Sequence, residues 1–160
     1  MKRRRSFQGF PYLLLGILAL ALSACQEGET ATPAAPVEDH VAIVKAYVDA
    51  YNGDDAAAMS ALMHPDIEWL SISGSRVELV SAGREKLTEE MRVFFQGEST
   101  ATSTLSGIGQ TGGFVSTIET ASWMGDDNKD KSQSSLAVYE VTADGLIRRI
   151  WYYPEVASDD

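Results

Sequence analysis

The stretch after Gly97 is what most narrows the folds open to this chain. Four strand-like runs follow one another there, residues 100–108, 114–124, 132–141 and 146–153. They are separated only by Gly109-Gln-Thr-Gly-Gly113, Gly125-Asp-Asp-Asn-Lys-Asp130 and Thr142-Ala-Asp-Gly145. Connections this short join antiparallel neighbours, and Asp144-Gly145 is a favoured turn pair. The preceding half has another texture. Val37, Val41, Val44, Val48 and Tyr51 recur at intervals of four and three, which is one face of a helix closed by Asn52-Gly53. Asp54 or Asp55 caps a short second helix whose buried stripe is Met59, Leu62 and Met63 and which Pro65 stops. Residues 67–73 read as a strand, Gly74-Ser75 as a turn and residues 76–80 as a second short strand. A third helix opens at 81–83, carries Leu87, Met91, Phe94 and Phe95 on one side, and ends at Gly97. Helices first and hairpin-linked strands later predict an α+β domain with an antiparallel sheet. Such a sheet cannot cover its own apolar face, so the helices must pack across it.

The remaining segments do not belong to that domain. Met1-Lys-Arg-Arg-Arg5 is a basic start, and the apolar run 12–22 that follows is 11 residues long. A bilayer-spanning helix needs about 20, so residues 1–24 read as an export signal. Residues 25–36 hold no large apolar side chain and two prolines, the composition of an extended tether reaching about 30 Å. The domain proper is expected over 37–155, and 156–160 as a frayed acidic tail. The net charge is −10 for the whole chain and −14 without residues 1–24, which hold four basic residues and no acid. A surface of that sign repels phosphate backbones and excludes nucleic acid as a partner.

Leu22-Ser23-Ala24-Cys25 resembles the lipobox of bacterial lipoproteins. The resemblance implies cleavage before Cys25, a lipidated Cys25 as the membrane attachment, and export. Gln26 after the cysteine implies the outer membrane, facing the periplasm, in a Gram-negative cell. With one cysteine in the chain no internal disulfide can form, and a modified thiol explains it better than a free one. Arg4-Arg5-Ser6-Phe7 resembles part of a twin-arginine signal, from which Gln8 departs, favouring the general secretory route.

The domain resembles the SnoaL-like branch of the nuclear-transport-factor-2-like superfamily. Carrying the resemblance are Ala46-Tyr-Val-Asp-Ala-Tyr-Asn-Gly-Asp54, Met59-Ser-Ala-Leu-Met-His-Pro-Asp-Ile-Glu-Trp69, Gly83-Arg-Glu-Lys-Leu87, and Tyr139-Glu-Val-Thr-Ala-Asp-Gly-Leu-Ile147 followed by Trp151. It implies a cone-shaped, curved antiparallel sheet wrapped by three N-terminal helices, with an apolar pocket at the wide end. It also implies a tendency to form a homodimer through the open sheet. In the ketosteroid-isomerase branch, a first-helix tyrosine and a protonated late-strand aspartic acid hold an oxyanion while a first-strand aspartate moves the proton. By the resemblance Tyr47 takes the tyrosine position, Ser71 the base and Ala137 the late acid. A serine hydroxyl is no general base near neutral pH, and alanine has no acid, so steroid isomerisation is disfavoured.

The residues with chemistry to offer are few. Tyr47 can donate into the pocket or anchor core and rim. Alternation places Ile67, Trp69, Ser71 and Ser73 on one strand face, expected to be the pocket side, with Trp69 a wall and Ser71 a polar contact. Trp151 is expected to line the pocket as well. His64, beside Pro65 and Asp66, is a candidate base, against the plainer role of ending a helix. Glu119 and Glu140 are candidate acids if their strands turn them inward. Arg148 and Arg149 face opposite ways, so one of them can hold an anionic group. Asp126, Asn128 and Asp130 have the spacing of a calcium loop, but Lys131 and Ala137 stand where its glycine and glutamate belong. The sequence predicts no metal site and no cofactor. The leading expectation is a membrane-anchored binder of a small apolar or aromatic molecule. The alternatives are a cofactor-independent lyase, isomerase or hydrolase using Tyr47 with His64, Glu119 or Glu140, and a dimeric interaction module.

Overall fold

A computed structural model describes residues 39–97 and 101–157 of the chain. The expected signal, Cys25, the tether and Val37 lie outside the described residues, as do 158–160. Aspartates open the first two helices. Asp39 accepts a hydrogen bond from the Ala42 N–H at 3.1 Å and caps α1 (His40–Asn52). Asp55, of the two candidate caps, accepts from the Ala58 N–H at 2.8 Å and caps α2 (Ala56–Ala61). Both satisfy amide groups that the first helical turn leaves without partners. His40 is the first residue of α1; it is buried and its Nδ1 lies 3.1 Å from the Gly112 carbonyl oxygen.

The second helix ends earlier than its sequence suggests. Leu62 is its C-cap, and Met63 already begins β1 (Met63–Ser73). Pro65 therefore does not stop a helix but sits within a strand. It is tolerated because β1 pairs at Met63 and again from Glu68, and the missing N–H falls in the irregular stretch between. β1 turns at Gly74, whose φ of 59° suits a residue without a Cβ, into β2 (Arg76–Ala82). α3 (Arg84–Phe95) follows, with Leu87 and Met91 buried, Phe95 half-buried and Phe94 more exposed than its place in the stripe implied. Its C-cap is Gln96, one residue before the expected Gly97.

The strands after α3 are β3 (Thr102–Thr111), β4 (Phe114–Met124), β5 (Asp130–Val141), β6 (Ile147–Tyr152) and the unexpected β7 (Val156–Ala157). The last pairs with β5, so the chain is tied down at Val156 and Ala157 rather than frayed from that point. The curved sheet runs in the order β2-β1-β6-β5-β4-β3, the expected cone. Its neighbours are antiparallel as predicted, with one correction: β1 and β6 run parallel. α1 packs on β3 and β4, α3 on β1 and β2, and α2 bridges the other two helices. Val44, Met59, Ile67, Leu87, Val115, Ile147 and Ile150, each at most 1 % exposed, close the core between them. Each such side chain contributes about 1.5–3 kcal/mol.

Register separates two faces of the sheet. Trp69 pairs with Ile150 and Ser71 with Tyr152 on the face under the helices. The intervening residues form rows on the outer face. Leu79, Leu70, Trp151 and Val138 make one, and Val77 with Ile72 and Leu136 with Ile118 are two further apolar pairs. Arg149 also lies outside, between Glu68 (2.5 Å) and Glu140 (3.0 Å).

Candidate functional site

Between helices and inner sheet face lies a cavity of about 330 Å³. Tyr47, Val48 and Tyr51 of α1, Met59 of α2 and Met91 of α3 form one wall. Trp69, Ser71, Glu119, Gln133, Ile150 and Tyr152 form the other, with the exposed Val80 and Glu155 at the rim. The volume is at the small end of ligand sites, and the mixture of aromatic walls with a few polar groups is typical of them. The rings of Trp69 and Tyr152 stand 5.7 Å apart.

The polar focus of the cavity is Glu119, which β4 turns inward. Its Oε2 accepts from the hydroxyls of Tyr139 at 2.7 Å and Tyr152 at 2.9 Å, and its Oε1 accepts from the Ser103 hydroxyl at 2.5 Å. Ser103 is itself fixed by Asn52, whose amide donates to the Ser103 carbonyl at 2.8 Å and accepts from its N–H at 2.7 Å. One carboxylate thus joins side chains from β3, β5 and β6, and through Asn52 the end of α1.

Tyr47 stands beside this cluster, edge-on to Tyr139 at 6.3 Å between ring centres. Its hydroxyl hydrogen-bonds to nothing among the described residues, while no buried side-chain polar atom among them lacks a partner. The hydroxyl therefore opens into the cavity. Burial, then the charge of Glu119, pushes the Tyr47 hydroxyl well above its ordinary 10.0. Tyr139 and Tyr152 are raised too, by burial first and then by each other's or Glu119's charge. All three stay protonated across the physiological range, as their roles as donors require.

Residues 44–150 match the SnoaL-like domain family. The chain belongs to the SnoaL-like family. Its structure is similar to an LEH-like epoxide hydrolase of Mycobacterium tuberculosis, with a TM-score of 0.60 and 21% identity over 71% of this chain and 80% of that one. A candidate ketosteroid isomerase from Kribbella flavida aligns with a TM-score of 0.59 and 21% identity, over 78% and 84% of the two chains. A Mycobacterium tuberculosis protein in complex with estradiol-17beta-hemisuccinate aligns with 0.57 and 16%, over 72% and 92%. At these identities the likeness is one of fold. No curated protein sequence matches the chain.

Against this SnoaL-like frame the expected site residues divide cleanly. Tyr47, Trp69, Ser71 and Glu119 line the cavity. Trp151 does not: it lies on the outer face, 6.3 Å from the Phe114 ring, and Tyr152 takes the inward place. Glu140 is likewise outside, held by Arg149. His64 sits at the start of β1 away from the cavity, its Nδ1 accepting from the Asp66 N–H at 3.1 Å instead of bonding a carbonyl at a helix end. Neither Arg148 nor Arg149 lines the cavity. The residues of the Asp126 hairpin form a plain turn, with Lys131 paired to Asp127 at 3.3 Å. Among the described residues no group of three His, Cys, Asp or Glu gathers as a metal site would require. Sequence reasoning missed Ser103, Tyr139 and Tyr152. Tyr139 lay on the signal-bearing side, four residues beyond Ser135, the cross-strand partner of Glu119.

The buried hydroxyls set an alkaline limit. The folded protein keeps tyrosine protons that the unfolded chain releases near 10.0. Their contribution is therefore fully present below that pH and is lost as pH rises above it. The free energy of unfolding is expected to stay level up to about pH 9.5 and then fall, by up to about 1.4 kcal/mol per tyrosine per pH unit, and the urea midpoint falls with it. The phenolate absorbance of Tyr47, Tyr139 and Tyr152, identified by its loss in the matching Tyr→Phe variants, should appear together with unfolding and not before it. Ionisation of any of these three in the folded protein near pH 10 would contradict this geometry.

Proposed function

We propose that the protein is a membrane-tethered lipoprotein whose SnoaL-like domain binds a small, mostly apolar or aromatic molecule in the central cavity. The use made of Glu119 carries the binding reading. Both oxygens of that carboxylate are engaged by three hydroxyls of the protein's own chain, so the acid serves as a fixed polar landmark rather than a free base. Apolar and aromatic side chains supply most of the remaining wall.

A second reading rests on Tyr47. Its unpartnered hydroxyl beside a carboxylate is a hydrogen-bond donor awaiting a substrate oxygen, as a cofactor-independent lyase, isomerase or hydrolase needs. With His64 and Glu140 away from the cavity, Tyr47 and Glu119 remain as its acid–base pair. The chain from Pro36 to Asp160 is a compact unit by itself, and a thermal-shift screen of it against apolar and aromatic metabolites, with mass spectrometry of each hit, separates the two. A ligand at a hundredfold over its Kd should add about 2.7 kcal/mol. We expect it to be recovered intact; a ligand recovered altered, with turnover lost in Tyr47→Phe, would make the domain an enzyme.

The tether reading rests on Leu22-Ser23-Ala24-Cys25 and the export signal before it. Two or three acyl chains at about 0.8 kcal/mol per buried CH₂ would hold the protein on the membrane essentially permanently. Replacing Cys25 with Ala should move the protein from the membrane to the soluble fraction; an unchanged membrane fraction would overturn the lipobox reading.

The apolar rows of the outer sheet face support a homodimer. Val77, Leu79, Phe114, Ile118 and Leu136 are all exposed there, and its charged group, Arg149 with Glu68 and Glu140, is internally paired. An apolar face of this breadth is seldom left open on a monomer, and a second copy offers the same uncharged rows under two-fold symmetry. Sedimentation should give a dimer that Leu79→Arg or Ile118→Arg returns to monomer. A wild-type protein that stays monomeric at high micromolar concentration would contradict it.

A further inference from the structure

We propose that the molecule taken by the cavity is a small organic cation, an ammonium group carried on an apolar or aromatic body. The inference rests on the binding reading above and assigns its ligand a charge. The first ground is the charge inventory of the cavity. Its formally charged lining residues are Glu119 within and Glu155 at the rim, and among the described residues no Lys, Arg or His lines it. Four of the domain's basic groups are ion-paired elsewhere. Arg149 is paired on the outer sheet face, Lys86 with Glu90 and Arg92 with Glu89 on α3, and Lys131 with Asp127 in a hairpin.

Glu119 is held differently from every one of those acids. Its three partners, Ser103, Tyr139 and Tyr152, are neutral hydroxyls. They orient the carboxylate and offset part of its desolvation, but they bring no positive charge. A carboxylate inside a low-dielectric cavity attracts a cation far more strongly than one on the surface does. Its charge is felt at Tyr47 and Tyr51, whose hydroxyls are pushed upward by burial and then by Glu119.

The second ground is independent of the carboxylates. Tyr47, Tyr51, Trp69 and Tyr152 bring four aromatic rings to a space of about 330 Å³. Ring faces are electron-rich and attract ammonium groups, most strongly where water is displaced. Negative charge with aromatic faces around it is the chemistry that recognises an organic cation. An anionic ligand would meet Glu119 with no counter-charge. A neutral one would gain the apolar contacts but leave the carboxylate without a cationic partner.

Four probes of similar size test this on the full chain purified in detergent, by titration calorimetry. They are 2-phenylethylammonium, benzyltrimethylammonium, the neutral 2-phenylethanol and the anionic phenylacetate. One or both cations should bind at least about tenfold more tightly than the alcohol, and phenylacetate weakest of the four. Preference for the primary or the quaternary cation identifies the ammonium class. Glu119→Gln should remove about tenfold from the cation's affinity, a larger loss than it causes for the alcohol. The amide can still accept from both tyrosines and donate to the Ser103 hydroxyl, and retained alcohol binding reports that the cavity is intact. If that variant fails to fold, Glu155→Gln at the exposed rim should lower the cation's affinity alone. An alcohol that binds as well as the cations, or a tighter phenylacetate, overturns this inference and leaves the binding reading standing. Failure of all four probes overturns the inference too, and the binding reading is then judged by its own ligand screen.

Discussion

The carboxylate of Glu119 is the group on which the inner architecture converges. A carboxylate turned into an apolar cone costs several kcal/mol unless donors replace the water it loses. Here the donors come from three different strands, Ser103 on β3, Tyr139 on β5 and Tyr152 on β6. Each reaches Glu119 only in the observed register, because a slip of one residue would turn any of them to the outer face. Asn52 then ties the β3 backbone to the last residue of α1 from both sides. The packing of α1 on the sheet and the polarity of the cavity are consequently one arrangement.

The order of elements was legible because local signals are strong in this chain. Asp55 before Ala-rich helix, Gly74 at φ 59° and Gly145 at φ 79° each act within a few residues of themselves. What depended on distant pairing was not legible. The parallel contact of β1 with β6 joins residues some eighty positions apart, and no local pattern announces it. That contact decides which side of β6 faces the helices. Alternation puts Trp151 and Tyr152 on opposite sides, and the expectation that Trp151 lines the pocket took the wrong one of the two. The same ambiguity covered Glu119 and Glu140, and only the first turned inward. His64 failed for another reason. Reading Pro65 as a helix stop placed His64 at a helix end, whereas the chain had already become a strand at Met63.

The fold does not carry the isomerase chemistry with it. Ser71 lies in the cavity at the place where the resemblance puts a catalytic base, and Ala137, at the late-acid place, is fully buried without a carboxyl group. The acid in this cavity comes from β4 instead and is surrounded by the chain's own donors. The functional difference is large. An acid held ready for proton transfer needs an oxygen facing the substrate, and its effectiveness depends on gaining and losing a proton. An acid whose oxygens receive three hydroxyl hydrogen bonds acts instead through its fixed position and field.

That distinction also explains the arrangement of charge across the sheet. Arg149 lies one residue from Ile150, which lines the cavity, yet its guanidinium is spent on Glu68 and Glu140 outside. Strand alternation keeps the arginine on that side, and pairing with two carboxylates holds it there. Among the described residues the cavity lining is left with carboxylates, hydroxyls and aromatic rings and no cation of its own. Two adjacent residues of β6, Arg149 and Ile150, thus separate an ion-paired arginine outside from a carboxylate-bearing cavity inside. The proposed preference of the cavity for a cation rests on that separation.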